Sequence, residues 1–166
     1  MIVLGVDPGT TATGYGVVER PESGPHRLIE CGVIRLPARE PLERRLVAIH
    51  DALTDLIARH RPDVMAIEDV FVAKNVRSAL VLGHARGVIL LAAAHASVTV
   101  ASYPPAVIKK AVVGAGAATK EQVQRMIAQL LRLKTPPSPS DAADGVAVAL
   151  THCLRAGRRF RRAVVG

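Results

Sequence analysis

The sequence predicts one α/β domain built on a mixed five-stranded sheet flanked by helices. Two observations carry this reading. Three strand-like segments, residues 2–7, 13–20 and 27–36, follow one another through short turns, which suits an antiparallel meander. Two more, 63–69 and 97–103, each follow a long helical stretch, and a strand reached across a helix pairs parallel with its neighbour. The 166 residues contain no internal repeat and no linker, so a single domain is expected.

The links "PGTT" and "PESGPH" supply the turn chemistry of the meander. "PLERRLVAIHDALTDLIARH" (41–60) then places Leu42, Leu46, Ile49, Leu53, Leu56 and Ile57 at helical spacing with charges between them, and Pro62 stops it. "DVMAIED" (63–69) is a short apolar strand ending in carboxylates. A long apolar helix is expected over about 77–95, before the strand "SVTVASY" (97–103). "PPAVIKKAVVG" opens on prolines, which favour a first helical turn, and closes at Gly114. "TKEQVQRMIAQLLRL" (119–133) starts with Thr119 and Gln122 in capping-box register. "KTPPSPS" is a loop. An Ala/Val-rich helix over about 140–156 completes the domain (1–156), and residues 157–166 form a basic tail.

Lys and Arg number 22 against 14 acids, a net charge of +8, which is the electrostatic footprint of a protein that meets a polyanion. Two Phe, two Tyr and no Trp are too few to stack successive bases of a single strand. Contact with the phosphate backbone and with nucleic-acid shape is the better expectation, and such contact weakens steeply with salt. The longest apolar run, 87–101, is broken by His95 and Ser97, so no membrane span is expected. "MIVLGVD" has no basic residue ahead of its apolar stretch and does not read as a signal peptide. Cys31 and Cys153 lack metal-ligand spacing and read as reduced thiols, which points to the cytoplasm.

Four acids stand where the local pattern does not ask for them. Asp7 ends the first strand and Glu68 the fourth. Asp141 and Asp144, three residues apart in "SDAADGVAVAL", share a face of the last helix's first turn. Ligand sites in open α/β sheets form at the carboxyl ends of strands, and a helix start docked there would gather all four. Each acid alone has a plainer reading. Asp141 complements a helix dipole, Asp7 forms a turn before Pro-Gly, and Glu68 pairs with a base. Together they are costly, because two carboxylates about 4 Å apart repel by roughly 4 kcal/mol at an effective dielectric of about 20. Oxygen donors without Cys or a paired-His motif suit hard cations such as magnesium or manganese. Two such ions about 3.5–4 Å apart activate water and stabilise the leaving oxygen at a phosphodiester. In a basic chain, that chemistry is a nuclease's.

"DPGTTATG" also resembles the first phosphate loop of the actin-like, chaperone and sugar-kinase ATPases. Those proteins use two such domains and a second loop, whereas "DAADG" here opens a helix.

Taken together, "GVDPGTTATGYGVV", "AIEDVFVAKNVRSALVLGHARGVIL", "VIKKAVVGAGAATKEQV" and "SDAADGVAVALTHC" closely resemble the RuvC family of Holliday junction resolvases, in the same order and over roughly residues 2–153. The resemblance implies a ribonuclease H-like fold and a homodimer that nicks a four-way DNA junction symmetrically. It implies a magnesium-binding tetrad of Asp7, Glu68, Asp141 and Asp144, and products bearing 5′-phosphate and 3′-hydroxyl ends. Lys109 and Lys120 match lysines placed near the DNA and the site. Phe71 matches an aromatic at the junction's centre, in a loop with Lys74 and Asn75. The branch-migration proteins RuvA and RuvB are implied as partners by the resemblance alone.

Asp69 departs from the Gln that relatives often carry after the glutamate. Alternation along a strand puts Glu68 and Asp69 on opposite faces, and Glu68 is the preferred ligand. His152 reads as a packing residue. Leu80, Gly83, Gly87, Leu90 and Leu91 make a small-and-apolar stripe on the long helix, either packed on the sheet or forming the surface of a two-fold dimer. A non-catalytic junction-binding protein is an alternative against which the four intact acids argue; a nuclease of RNA–DNA hybrids shares the metal chemistry, so the acids alone do not distinguish it.

Overall fold

The computed structural model describes residues 1–9, 11–69 and 75–163, with side chains to residue 156. Phe71 and Lys74 lie outside the described residues. Strands β1 (Ile2–Asp7), β2 (Ala12–Glu19) and β3 (Arg27–Arg35) form the expected meander. Helix α1 (Leu42–His60) leads to β4 (Val64–Glu68), and α2 (Val76–His95) leads to β5 (Thr99–Tyr103). Helices α3 (Pro105–Val113), α4 (Lys120–Leu130) and α5 (Ser140–Ala163) follow. The sheet order is β3-β2-β1-β4-β5, with β4 parallel to both β1 and β5.

Alternation along the central strands divides the interior in two. Val3, Val18 and Ala66 face a core completed by Ile108, Ile127, Val146 and Leu150 from α3, α4 and α5. Leu4, Val6, Met65 and Ile67 face the other, completed by Ile49, Leu53 and Ile89 from α1 and α2. β1 lies mid-sheet with both faces covered, which is why its residues read as a continuous apolar run. Cys153 is buried in the first core, and burial pushes its thiol up to about 12.

The local signals act as expected. Thr119 Oγ1 accepts from the Gln122 amide at 3.3 Å, and Gln122 Oε1 accepts from the Thr119 amide at 2.8 Å. α3 starts at Pro105 and ends on Gly114, whose φ of 90° suits glycine. Three boundaries differ from the sequence reading by two residues or more. β5 begins at Thr99 because Ser97 turns the chain at a φ of 55°, and α4 ends at Leu130, just before Arg132 turns it at 54°. α5 runs to Ala163, past the expected end at 156. A lone glycine costs a helix only about 1 kcal/mol, and arginines are good helix formers, so Gly157 does not stop it.

α2 has the length and mean hydropathy, 1.4, of a membrane-crossing helix. Here Ala85, Ile89, Ala92 and Ala93 bury one face of it in the second core. Its other face remains open. Leu80 and Leu91 are 60% and 47% exposed, and side chains at Gly83 or Gly87 would meet nothing. With Leu46 of α1 these residues line an apolar groove. Leu90, expected on the same stripe, packs against the core instead.

Candidate active site

The site is assembled by backbone contact between α5 and the meander. A side chain at Gly5 would overlap the backbone of Gly145 and Ala149, and one at Gly16 would overlap Val146. At Gly145 it would overlap the backbone of Tyr15. With no side chains in the way, α5 lies directly on β1 and β2. Its first turn therefore reaches the carboxyl ends of β1 and β4, where Asp7 and Glu68 stand side by side, one residue beyond the paired Val6 and Ile67.

Asp7, Glu68 and Asp144 line one cleft of about 220 Å³ together with Lys109 of α3 and Lys120 of α4. Lys120 Nζ lies 2.6 Å from Asp144 Oδ2. Asp141 does not line the cleft, although its charge reaches Asp7. Burial, then the charge of Glu68, then that of Asp144 push the Asp7 carboxyl far above the usual carboxylate range, with Lys120 opposing. Glu68 is pushed up as well, by burial first and by Asp144 next; Lys109, Lys120 and a side-chain hydrogen bond from Asp7 pull it back. Burial works against the Lys120 ammonium, but its hydrogen bond to Asp144 and the surrounding carboxylates raise its pKa overall.

Such a cleft attracts cations. Its donors are carboxylate oxygens, which hard divalent ions prefer. Two of its acids take up protons readily because they repel one another in a poorly solvated place, and a bound cation relieves the same strain. Among the described residues, no three such donors stand together in an arrangement that would hold a metal ion as they are placed here. The acids instead border an open cleft in which Lys120 supplies positive charge to Asp144.

The acid beside Glu68 is otherwise engaged. Asp69 Oδ1 accepts from Arg86 Nη2 at 2.6 Å, and the same nitrogen donates to Ser102 Oγ at 3.0 Å. The backbone therefore sends Glu68 to the cleft and Asp69 to α2. Arg86 was not singled out from the sequence, because a partner 17 residues away on another element leaves no local pattern. His152 Nδ1 lies 2.8 Å from the Tyr103 hydroxyl, tying α5 to the end of β5. Asn75 caps α2, its Oδ1 accepting from the Ser78 amide at 2.8 Å.

Comparison with known proteins bears on this arrangement. The family model described as crossover junction endodeoxyribonuclease RuvC matches residues 3–152. This chain belongs to the RuvC family. The crossover junction endodeoxyribonuclease RuvC of Moorella thermoacetica is 49% identical over 161 residues, 97% of this chain and 96% of that one. The Thermus thermophilus RuvC structure superposes with a TM-score of 0.88 at 38% identity, covering 95% of this chain and 96% of that one. The structure of T. thermophilus RuvC in complex with Holliday junction substrate gives a TM-score of 0.87 at 35% identity, with the same coverage. The fold is thus the ribonuclease H-like α/β fold that the RuvC resemblance implied.

Proposed function

We propose that the cleft is the catalytic centre of a structure-selective endodeoxyribonuclease that resolves Holliday junctions in recombination and repair. The observation that carries this is the gathering of Asp7, Glu68 and Asp144 with two lysines at the carboxyl ends of adjacent parallel strands, in a RuvC-family chain. A relative sharing 35% of its residues is held in complex with a Holliday junction.

Asp7, Glu68, Asp141 and Asp144 are the residues that would hold the metal, which we take to be two magnesium ions, with manganese able to substitute. Bound there, the ions would supply a more acidic water and neutralise charge on the scissile phosphate. The protein's own part is positional and electrostatic. The strand ends fix Asp7 and Glu68, and α5 brings Asp144 into the same cleft with Asp141 just outside it, its charge reaching Asp7. Lys109 and Lys120 are compact cations facing the same cleft, suited to binding non-bridging phosphate oxygens and offsetting the charge that builds in the transition state. Water adds to phosphorus as the bond to the 3′ oxygen breaks, leaving 5′-phosphate and 3′-hydroxyl ends.

The protein acts as a homodimer. A four-way junction presents two equivalent strands about a two-fold axis, and a two-fold dimer offers two equivalent sites. The open apolar groove along α2 is the surface we assign to the second copy. Phe71, Lys74 and Asn75 are assigned to the junction's centre, residues 1–156 to the nuclease unit and 157–166 to a basic extension. Cytoplasmic action beside RuvA and RuvB accords with this role.

The test is a substrate panel: four-way junction, linear duplex and RNA–DNA hybrid, each with magnesium, manganese or chelator. The proposal expects metal-dependent cutting of the junction and little of the others. Binding without cutting under every metal would make the protein a non-catalytic junction binder. Cutting of the hybrid alone would keep the chemistry and replace the substrate.

A further inference from the structure

A second cleft lies on the same edge of the sheet as the acids. It is lined by Thr11, Arg45, Arg77, Ser78 and Val81, with no carboxylate among them. Thr11 follows the carboxyl end of β1, its carbonyl accepting from the Leu36 amide at 2.8 Å. Arg45 stands in the first turn of α1, and Arg77 in the first turn of α2.

These two arginines are not among those that the fold already pairs. Arg27, Arg59 and Arg86 each pair with a carboxylate. Neither Arg45 nor Arg77 forms an ion pair among the described residues. Arg45 Nε is buried with no hydrogen-bond partner there; so is Arg86 Nε, but Arg86 Nη2 is held by Asp69 and Ser102. A buried donor left unpaired is costly, more so if charged, so its environment favours an acceptor from outside. A guanidinium fork matches the paired oxygens of a phosphate, and hydroxyls such as those of Thr11 and Ser78 are the usual companions of such contacts.

We infer that this cleft is a phosphate subsite, in which Arg45 and Arg77 grip a backbone phosphodiester of the bound DNA at a linkage other than the one being cut. This rests on the junction-nuclease reading and extends it. The acids do the chemistry, and the second cleft fixes where along the strand they act.

The test is junction binding in chelator, measured by fluorescence anisotropy across a salt series for wild type, Arg45→Ala, Arg77→Ala and the double variant. Each lost phosphate contact lowers the slope of log affinity against log salt by about 0.9. The advantage of wild type over each single variant should therefore shrink about three-fold between about 50 and about 200 mM salt. Junctions carrying single methylphosphonate linkages then locate the contact. One neutral linkage should weaken wild type and leave the double variant unaffected. Arg77 is exposed, so its variant is expected to fold even if Arg45→Ala does not. Unchanged slopes in folded Arg77→Ala and Arg45→Ala, or no linkage coupled to them, would overturn the subsite while leaving the nuclease reading intact. Failure of wild type to bind the junction would overturn both.

Discussion

Gly14 stands opposite Asp7 in the β1–β2 ladder, and a side chain at Gly14 would run into the carbonyl oxygen of Asp141. The first turn of α5 can rest against the end of β2 only because that position is bare. The spacing of the acids is thus set by glycines as much as by the acids themselves.

Gly14→Ala should therefore do more than destabilise. Forcing a methyl group against backbone costs about 1–3 kcal/mol where the surroundings give way, and they give way here by moving α5 outward. Junction cleavage should fall at least about ten-fold, beyond what the unfolded fraction explains, since misplacing reacting groups by about 1 Å costs on the order of 100-fold. Thermal melting and single-turnover cleavage on the same preparation separate the two effects.

Asp7→Asn should abolish cleavage yet stabilise the metal-free protein. Asp7 and Glu68 have carboxyl pKa values raised by folding, so the folded state holds protons that the unfolded chain releases above its ordinary values of 3.8 and 4.5. Their contribution is most favourable below that range and declines as pH rises through the raised folded values. Removing one charge should raise Tm in chelator at pH 8 by a few degrees, at about 2–4 °C per kcal/mol for a chain of this size. The gain should shrink toward pH 4. Equal Tm values for wild type and variant across that range would contradict the electrostatic account.

The lysines should separate by position. Lys120 touches Asp144 at 2.6 Å, whereas Lys109 acts on Glu68 through its charge. Lys120→Ala should lower the single-turnover rate by about 100-fold or more, as loss of a preorganised group facing transition-state charge does. Junction affinity should change little by comparison. A variant that loses affinity and rate together would make Lys120 a binding group only.

On α2, Gly87→Arg puts a long charged side chain on the open groove without an internal clash. The expected outcome in sedimentation is a folded monomer that binds a junction but no longer makes paired cuts. A dimer that survives the change would move the interface elsewhere.

Much of this architecture was legible from the chain because local rules and tertiary packing agree. The capping box at Thr119, the prolines that open α3 and the apolar run of β1 all specify what forms. The acids were recognisable because they break their local patterns. A meeting of all four was expected, but what brings Asp144 beside Asp7 and Glu68 was not legible, since Gly5, Gly14, Gly16 and Gly145 are ordinary strand or helix glycines until α5 is laid across the sheet. Asp69 could be set apart from Glu68 by alternation, but its partner Arg86 emerges only when α2 is folded back beside β4 and β5. The end of α5 was missed because the basic stretch from residue 157 reads as a tail in sequence, whereas the helix continues through it to Ala163.

The most direct measurement is the mapping of nicks on a partly mobile, end-labelled four-way junction with wild type and Asp7→Asn in magnesium. The account predicts nicks at matching positions on two opposing strands, with 5′-phosphate ends, and none from the variant although it still binds. Undiminished cutting by Asp7→Asn, or wild-type nicks confined to one strand, would contradict it.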